Sequence, residues 1–149
     1  MGIPFSCALL HVLLFPLFAL AQSDSPIKWG FTVDRIATNE TVITFIAGIP
    51  EGWHLYSQFI PPDGPYPTRF LYKSDDGYKK VGSTSEKGNL ATHYDEIYEM
   101  DIRWFTHHVE FSQRITKLQP DTTIEVILEY MACNDQVCVP SRKTFVISL

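Results

Sequence analysis

The stretch Thr122-Thr123-Ile124-Glu125-Val126-Ile127-Leu128-Glu129-Tyr130-Met131-Ala132 decides the fold. Ile124, Val126, Leu128 and Tyr130 alternate with Thr123, Glu125, Ile127 and Glu129, the period of two that a strand shows when one face is better buried than the other. Outward from it, the same pattern predicts strands over residues 29–36, 41–49, 53–57, 69–74, 78–81, 99–111 and 142–149. Thr38-Asn39-Glu40, Pro50-Glu51-Gly52, Pro61-Pro62-Asp63-Gly64-Pro65, Asp75-Asp76-Gly77 and Gln119-Pro120-Asp121 supply turns between them. Short strands at this spacing, with hardly a helical period anywhere, predict an all-β single domain: two antiparallel sheets packed as a sandwich. The cysteine spacing of antibody domains is missing. Trp29, Phe31, Trp104, Phe105 and Phe111 are expected in the core. Residues 73–80 read as a charged hairpin with a solvated tip at Asp75-Asp76-Gly77, and residues 82–95, rich in Ser, Thr, Gly and charge, as a long loop.

At the N-terminus, Leu9, Leu10, Val12, Leu13, Leu14, Phe15, Leu17 and Phe18 form an apolar run too short and too early for a spanning helix. It ends in Ala19-Leu20-Ala21, a small-x-small site of the kind signal peptidase cuts. Residues 1–21 are therefore read as a signal peptide cleaved near Ala21, and residues 22–149 as the domain. An uncleaved anchor is the alternative. The expected location is periplasmic or secreted, where thiols oxidise. The chain carries a net charge of −5 and no basic block. Nucleic-acid binding is excluded on that ground, because it needs clustered Lys and Arg.

Of three cysteines, Cys7 falls in the leader, leaving Cys133 and Cys138 in Cys133-Asn134-Asp135-Gln136-Val137-Cys138-Val139-Pro140. Such a lone close pair reads first as a redox switch. Residues five apart on an extended strand lie about 17 Å from each other, whereas a disulfide needs alpha carbons roughly 4.4–6.8 Å apart. If the two are bonded, residues 134–137 turn the chain back, and the bridge crosses the base of a hairpin. Three readings stand. A stapling disulfide is the ordinary one in secreted proteins, although closing so short a loop adds only about 2 kcal/mol. A metal site would recruit His93, His107 or His108, yet there is no C-x2-C knuckle, and adjacent histidines on a strand point to opposite faces. The third reading is a reversible dithiol that exchanges with partner proteins, as strained or exposed bridges do.

The stretch from Tyr130 to Pro140 resembles the cysteine hairpin of the N-terminal periplasmic domain of the transmembrane reductase DsbD, in the Cys-Asn-Asp-x-x-Cys-x-Pro form of disulfide bond corrector domains. Gly52-Trp53-His54-Leu55-Tyr56 resembles the family's aromatic strand, and Tyr94-Asp95-Glu96-Ile97-Tyr98 its cap loop. The resemblance covers nearly the whole of residues 22–149. It implies an immunoglobulin-like sandwich that passes electrons between periplasmic thiol proteins.

Carried over residue by residue, Cys138 matches the cysteine that forms mixed disulfides with partners, and Cys133 the one that resolves them. Asp95 and Glu96 match the acidic residues beside the site, and Tyr56 an aromatic packed on it. Ile97 stands where the cap has Phe, and His54 where the family often has Tyr. Asp135, Asp95 and Glu96 would disfavour a thiolate and keep the resting dithiol sluggish. The resemblance implies thioredoxin-like donor or acceptor proteins, a membrane thiol reductase among them, and a monomer that needs neither metal nor organic cofactor. Because the chain ends after its last strand, the electron source is expected in a separate protein. The competing reading is a non-catalytic sandwich that binds a surface protein through residues 82–98, its disulfide only structural.

Overall fold

The computed structural model describes residues 25–149, all of them in strands, turns and connections, with no helix. The leader expected over residues 1–21 lies outside the described residues. Eight strands follow in order: β1 Lys28–Arg35, β2 Glu40–Gly48, β3 His54–Tyr56, β4 Arg69–Tyr72, β5 Tyr78–Asp95, β6 Met100–Lys117, β7 Thr123–Cys133 and β8 Cys138–Ser148. Every pairing is antiparallel. β1, β2, β6 and β5 lie side by side in one layer, and β4, β7 and β8 in the other. The short β3 pairs with both β6 and β7 and joins the layers at one end.

Alternation along the strands builds the space between the layers. β2 contributes Ile43, Phe45 and Ala47, β6 contributes Phe105, Val109, Phe111 and Ile115, and these meet Ile124, Val126, Leu128 and Tyr130 of β7 and Phe145 and Ile147 of β8. The rings interlock across the gap: Phe45 lies 5.2 Å from Phe145 and Trp29 lies 5.3 Å from Tyr130, centroid to centroid. Each such side chain taken out of water contributes about 1.5–3 kcal/mol, so this face fixes the register of β2, β6, β7 and β8.

Four expectations are corrected. Residues 82–95 are not a loop but most of β5, which zips onto β6 along its whole length. Paired on one side only and largely solvent-exposed, β5 has no buried face to impose a period of two. Residues 73–80 are not a hairpin, because β4 pairs with β7 while β5 pairs with β6, so this segment crosses between layers. Phe31 is 41% exposed, since β1 is an edge strand whose outer half the opposite layer does not cover. Trp104 leaves the main core and packs in a separate small cluster with Tyr56, Ile102 and Cys133.

The β5–β6 hairpin is bent at two interruptions of its register, between Val81 and Ser85 and between Gly88 and Asn89. At the first, the fully buried Gln113 fills the gap: its amide donates to the carbonyls of Val81 and Gly82, and its oxygen accepts from the Thr84 hydroxyl at 2.9 Å. At the second, His107 takes a positive φ of 62°. The regular ladder to β5 skips His107 and His108 at this break, and both are exposed.

Candidate functional site

The pair β7–β8 carries the cysteines at its turn. Asn134 N–H donates to the Val137 carbonyl at 2.9 Å, and at the far end Leu149 N–H donates to the Thr122 carbonyl at 2.9 Å. Hydrogen-bonded and non-hydrogen-bonded pairs alternate along an antiparallel ladder, and both ends give the same phase. Cys133 and Cys138 face each other at a non-hydrogen-bonded position, the closer kind, with alpha carbons 4.1 Å apart and a disulfide between them. Pro140, opposite Met131, holds the same phase, so its missing N–H costs the β7–β8 ladder nothing.

Asn134 shapes the turn itself. Its side-chain oxygen accepts from the N–H of Gln136 at 2.9 Å and of Val137 at 2.8 Å, an Asx turn that holds the two strand ends together. The same geometry keeps two thiols adjacent after reduction, which favours reclosure of the bridge. Asn134→Ala is therefore expected to make the disulfide easier to reduce. A net loss of about 1 kcal/mol of preorganisation corresponds to about 20 mV for a two-electron couple. Equilibration against glutathione buffers measures it, with Asn134→Asp, which retains the acceptor, expected to stay near the parent value. An Ala variant with the parent potential would remove this role from Asn134.

The two sulfurs have unequal surroundings. Cys138 is exposed on the edge strand β8. Cys133 is 1% exposed, in a cluster with Tyr56 and Ile102 bordered by Ile60, Met100, Trp104 and Met131. The cover follows from the alternation of β3. Leu55 points into the main core between Phe105 and Ala132, so His54 and Tyr56 emerge on the other face, with His54 directly across from Cys133 and Tyr56 across from Trp104. The His54 ring lies 4.6 Å from Trp104 and 5.3 Å from Tyr56, and the His93 ring lies 5.5 Å from Trp104.

Burial lowers the His54 pKa below its ordinary 6.5, and the charge of Asp135 opposes that only in part. Above 6.5 the ring is neutral both folded and unfolded. As pH falls below that value the unfolded chain takes up the proton first, so stability declines with acidification. The wild type is expected to lose more of its urea midpoint between about pH 7.5 and 5 than His54→Phe does. Equal slopes in the two proteins would dismiss the effect. The Tyr56 phenol is pushed up by its burial, then by Tyr98 and by Asp95, and stays protonated.

The turn between β5 and β6 brings the other expected residues near. Asp95 accepts at one oxygen from Ile97 N–H at 2.8 Å and from Tyr98 N–H at 3.0 Å, so its carboxylate shapes the tip as Asn134 shapes the cysteine turn. Asp95 and Tyr98 both lie close enough to act on Tyr56, and Asp135 on His54. Glu96 sits exposed in the tip, making no side-chain hydrogen bond or ion pair among the described residues. Ile97 is 88% exposed, so the cover over Cys133 comes from Tyr56, Ile102 and Trp104 instead. A residue that sequence reasoning passed over is Glu86, its side chain 6% exposed, which accepts from Ser57 Oγ at 2.5 Å and Gln58 N–H at 3.0 Å and lies 3.5 Å from the Arg103 guanidinium. This buried carboxylate ties β5 to the chain leaving β3. Asn134 had a legible signal, an Asn opening a turn; Glu86 and Gln113, polar residues in polar stretches, had none.

No curated protein matches the sequence. Among solved structures, the N-terminal periplasmic domain of ScsB from Proteus mirabilis is similar, at 13% identity and a TM-score of 0.63, over 85% of this chain and 47% of that one. The chain thus spans about half the length of that neighbour. The N-terminal domain of DsbD from Neisseria meningitidis, in its reduced form, is similar at 17% identity and a TM-score of 0.51, over 80% of this chain and 85% of that one. At such identities the likeness speaks for the fold, an immunoglobulin-like sandwich. The profile described as "Thiol:disulfide interchange protein DsbD, N-terminal" matches residues 26–148. The chain, with its cross-strand Cys133–Cys138 disulfide, belongs to the family of DsbD N-terminal domains, a family of thiol-disulfide interchange.

Proposed function

We propose that this protein is a periplasmic carrier of reducing equivalents, taking them up as a Cys133–Cys138 disulfide and handing them on as a dithiol. The observation that supports the reading is the asymmetry of the bridge: Cys138 is open to an approaching sulfur and Cys133 is sealed beneath Tyr56, Ile102 and Trp104. A donor thiolate attacks Cys138 Sγ, the bond to Cys133 breaks, and its electron pair leaves on the Cys133 sulfur, which takes up a proton. The donor's second thiolate then attacks the donor sulfur of the mixed disulfide, which releases Cys138 as a thiol and leaves the donor oxidised. With an oxidised acceptor the sequence reverses: Cys138 attacks, and Cys133 resolves the mixed disulfide by attacking Cys138. The natural partners are thioredoxin-like proteins, a membrane thiol reductase among the donors, and the site of action is the periplasm once residues 1–21 are removed. Exposed Val137 beside Cys138, and Tyr94, Ile97 and Tyr98 at the hairpin tip, provide apolar surface for docking.

The reduction potential tests the proposal. Equilibration against glutathione or dithiothreitol buffers, with free thiols trapped, is expected to place the couple between roughly −270 and −120 mV, the span of exchange proteins. A value well below about −300 mV would mark an inert structural bridge and leave a binding module in place of a carrier.

A further inference from the structure

Exchange moves protons as well as electrons, and the two cysteines differ in how they can do so. Cys138, exposed on β8, trades its proton with water. Cys133, 1% exposed in its apolar cluster, has no such route, and burial of that kind raises a thiol above its ordinary pKa of about 8.5. Yet to close the bridge Cys133 must lose its proton as it attacks Cys138, because the thiolate is the nucleophile. A thioredoxin-like acceptor, whose exchange cysteine has a lowered pKa, departs as a thiolate and takes up no proton at the site. The difficult proton is the one on Cys133.

His54 stands where that proton can leave. It is paired with Cys133 across β3 and β7, and directly opposed residues carry their Cβ atoms about 4.5–5.5 Å apart on one face of a sheet. The two share the outer face because their neighbours Leu55 and Ala132 both point into the main core. The imidazole also borders an open cleft of about 340 Å³ between Glu51, Trp53, Trp104 and His107. The ring thus links a sealed sulfur to solvent. His107 and His108 are engaged by Thr106 and Glu110, whereas the His54 nitrogens make no hydrogen bond or ion pair among the described residues and are free to carry a proton. Trp104, 4.6 Å away and tilted by 30°, offers its face to an imidazolium.

We propose that His54 is the catalytic base of the resolving step: it takes the proton of the Cys133 thiol as that sulfur attacks Cys138, and passes it to water in the cleft. The Cys133–Cys138 bond forms, the bond from Cys138 to the acceptor breaks, and the acceptor sulfur leaves with the electron pair. In the opposite direction the imidazolium protonates Cys133 as a donor thiolate opens the bridge. Burial keeps the resting ring neutral at pH 7 and ready to accept. Around it stand Asp135 on the cysteine turn, whose charge favours the imidazolium, Glu51 and His107 on the cleft, His93 beside Trp104, and the protonated Tyr56 phenol. Asp95 and Tyr98 act on Tyr56. The inference rests on the proposed exchange function and assigns its proton transfer.

Neutral dipyridyl disulfide tests it on the reduced protein. Attack by Cys138 releases one thiopyridone. Attack by Cys133 on the resulting mixed disulfide closes the bridge and releases a second, so the reagent gains the two electrons that the dithiol loses. The second phase, independent of reagent concentration, is the step assigned to His54. In His54→Phe, which keeps a ring against Trp104, this phase is expected to slow about a hundredfold at pH 7, the lower end of what a positioned base contributes, with the first phase unchanged. Its pH profile is expected to turn from nearly flat between about pH 6.5 and 8 into a rise of about tenfold per unit, the mark of unassisted thiolate formation. In His54→Ala, imidazole added to the buffer is expected to restore the second phase in proportion to its concentration. A wild-type rate and flat profile in His54→Phe would overturn the inference. So would equal slowing of both phases, or slow closure in His54→Ala that imidazole leaves unmoved, either of which makes His54 a packing residue. The reduction potential separates the two levels. A base speeds opening and closing alike, so the variants are expected to keep the parent potential. A parent potential outside the span of exchange proteins fails the exchange function, whatever His54 does to the rate.

Discussion

Cys138→Ser is expected to abolish disulfide exchange, lowering its rate by at least about three orders of magnitude, the scale on which loss of a catalytic nucleophile acts. Cys133→Ser is expected to leave the first step intact and to stop at a mixed disulfide of one partner per chain. The two substitutions remove chemically identical atoms from one bond, so the difference arises from position. A sulfur nucleophile must approach in line with the bond it breaks, and at Cys133 that approach is filled by Tyr56, Ile102 and Trp104. At Cys138, on the open edge of β8, it is free. Both variants lose a small loop closure worth about 2 kcal/mol, so both are expected to fold, and thermal unfolding checks this independently of exchange. Mixed disulfides trapped equally well on either single-cysteine variant would mean that burial of Cys133 does not direct the attack. Trapping on Cys138 alone, detected by mass spectrometry under non-reducing conditions, is the expected result.

That asymmetry was not legible in the sequence. Cys133 and Cys138 occupy a symmetric cross-strand position, and the element that distinguishes them, the three-residue β3, comes from a segment about 80 residues away. The resemblance to a family assigned the roles; the layering over β7 supplies the physical reason. What the sequence displayed well was any strand with one face against the core. Ile124, Val126, Leu128 and Tyr130 announced β7, and Ile43, Phe45 and Ala47 lie just where β2 was expected. What it concealed was β5 beyond Val81, whose Ser85, Lys87, Asn89 and Ala91 are as exposed as Leu90 and Thr92 because no second layer covers the outer hairpin. A strand paired on one edge and wetted on both faces leaves no mark in hydropathy. The same blindness extends to hydrogen bonds. Gln113 and Glu86 organise a bulge and a strand junction, and neither differs in composition from a solvated residue until its partners are placed.

The bent hairpin also predicts where a single methyl group does most harm. Gly88 faces the backbone of β6 where the register breaks, and a Cβ built there would stand 2.6 Å from the His108 carbonyl oxygen and 2.8 Å from Val109 Cα. Neither atom belongs to a side chain that can swing aside, so Gly88→Ala must move one strand of the hairpin against the other. Overpacking of this kind costs about 1–3 kcal/mol, and here the upper end is expected because the obstacle is main chain on both counts. Gly30→Ala is the control, since its Cβ meets nothing within 4 Å. The consequence for function follows from what the distal arm carries. Beyond the break lie Asn89 to Asp95 and Met100 to Thr106, which bring Trp104 and Ile102 over Cys133 and set Asp95 beside Tyr56. Displacement of that arm uncovers the buried sulfur while β7 and β8 keep their own pairing. Gly88→Ala is therefore expected to raise amide exchange across residues 89–106 well above that in β7, and to let the Cys133→Ala variant's remaining thiol and the Cys138→Ala variant's remaining thiol react with alkylating agents at more nearly equal rates. A Gly88→Ala protein as stable as the Gly30→Ala control, with the parental contrast between the two thiols, would show that the arm neither depends on this close approach nor guards Cys133.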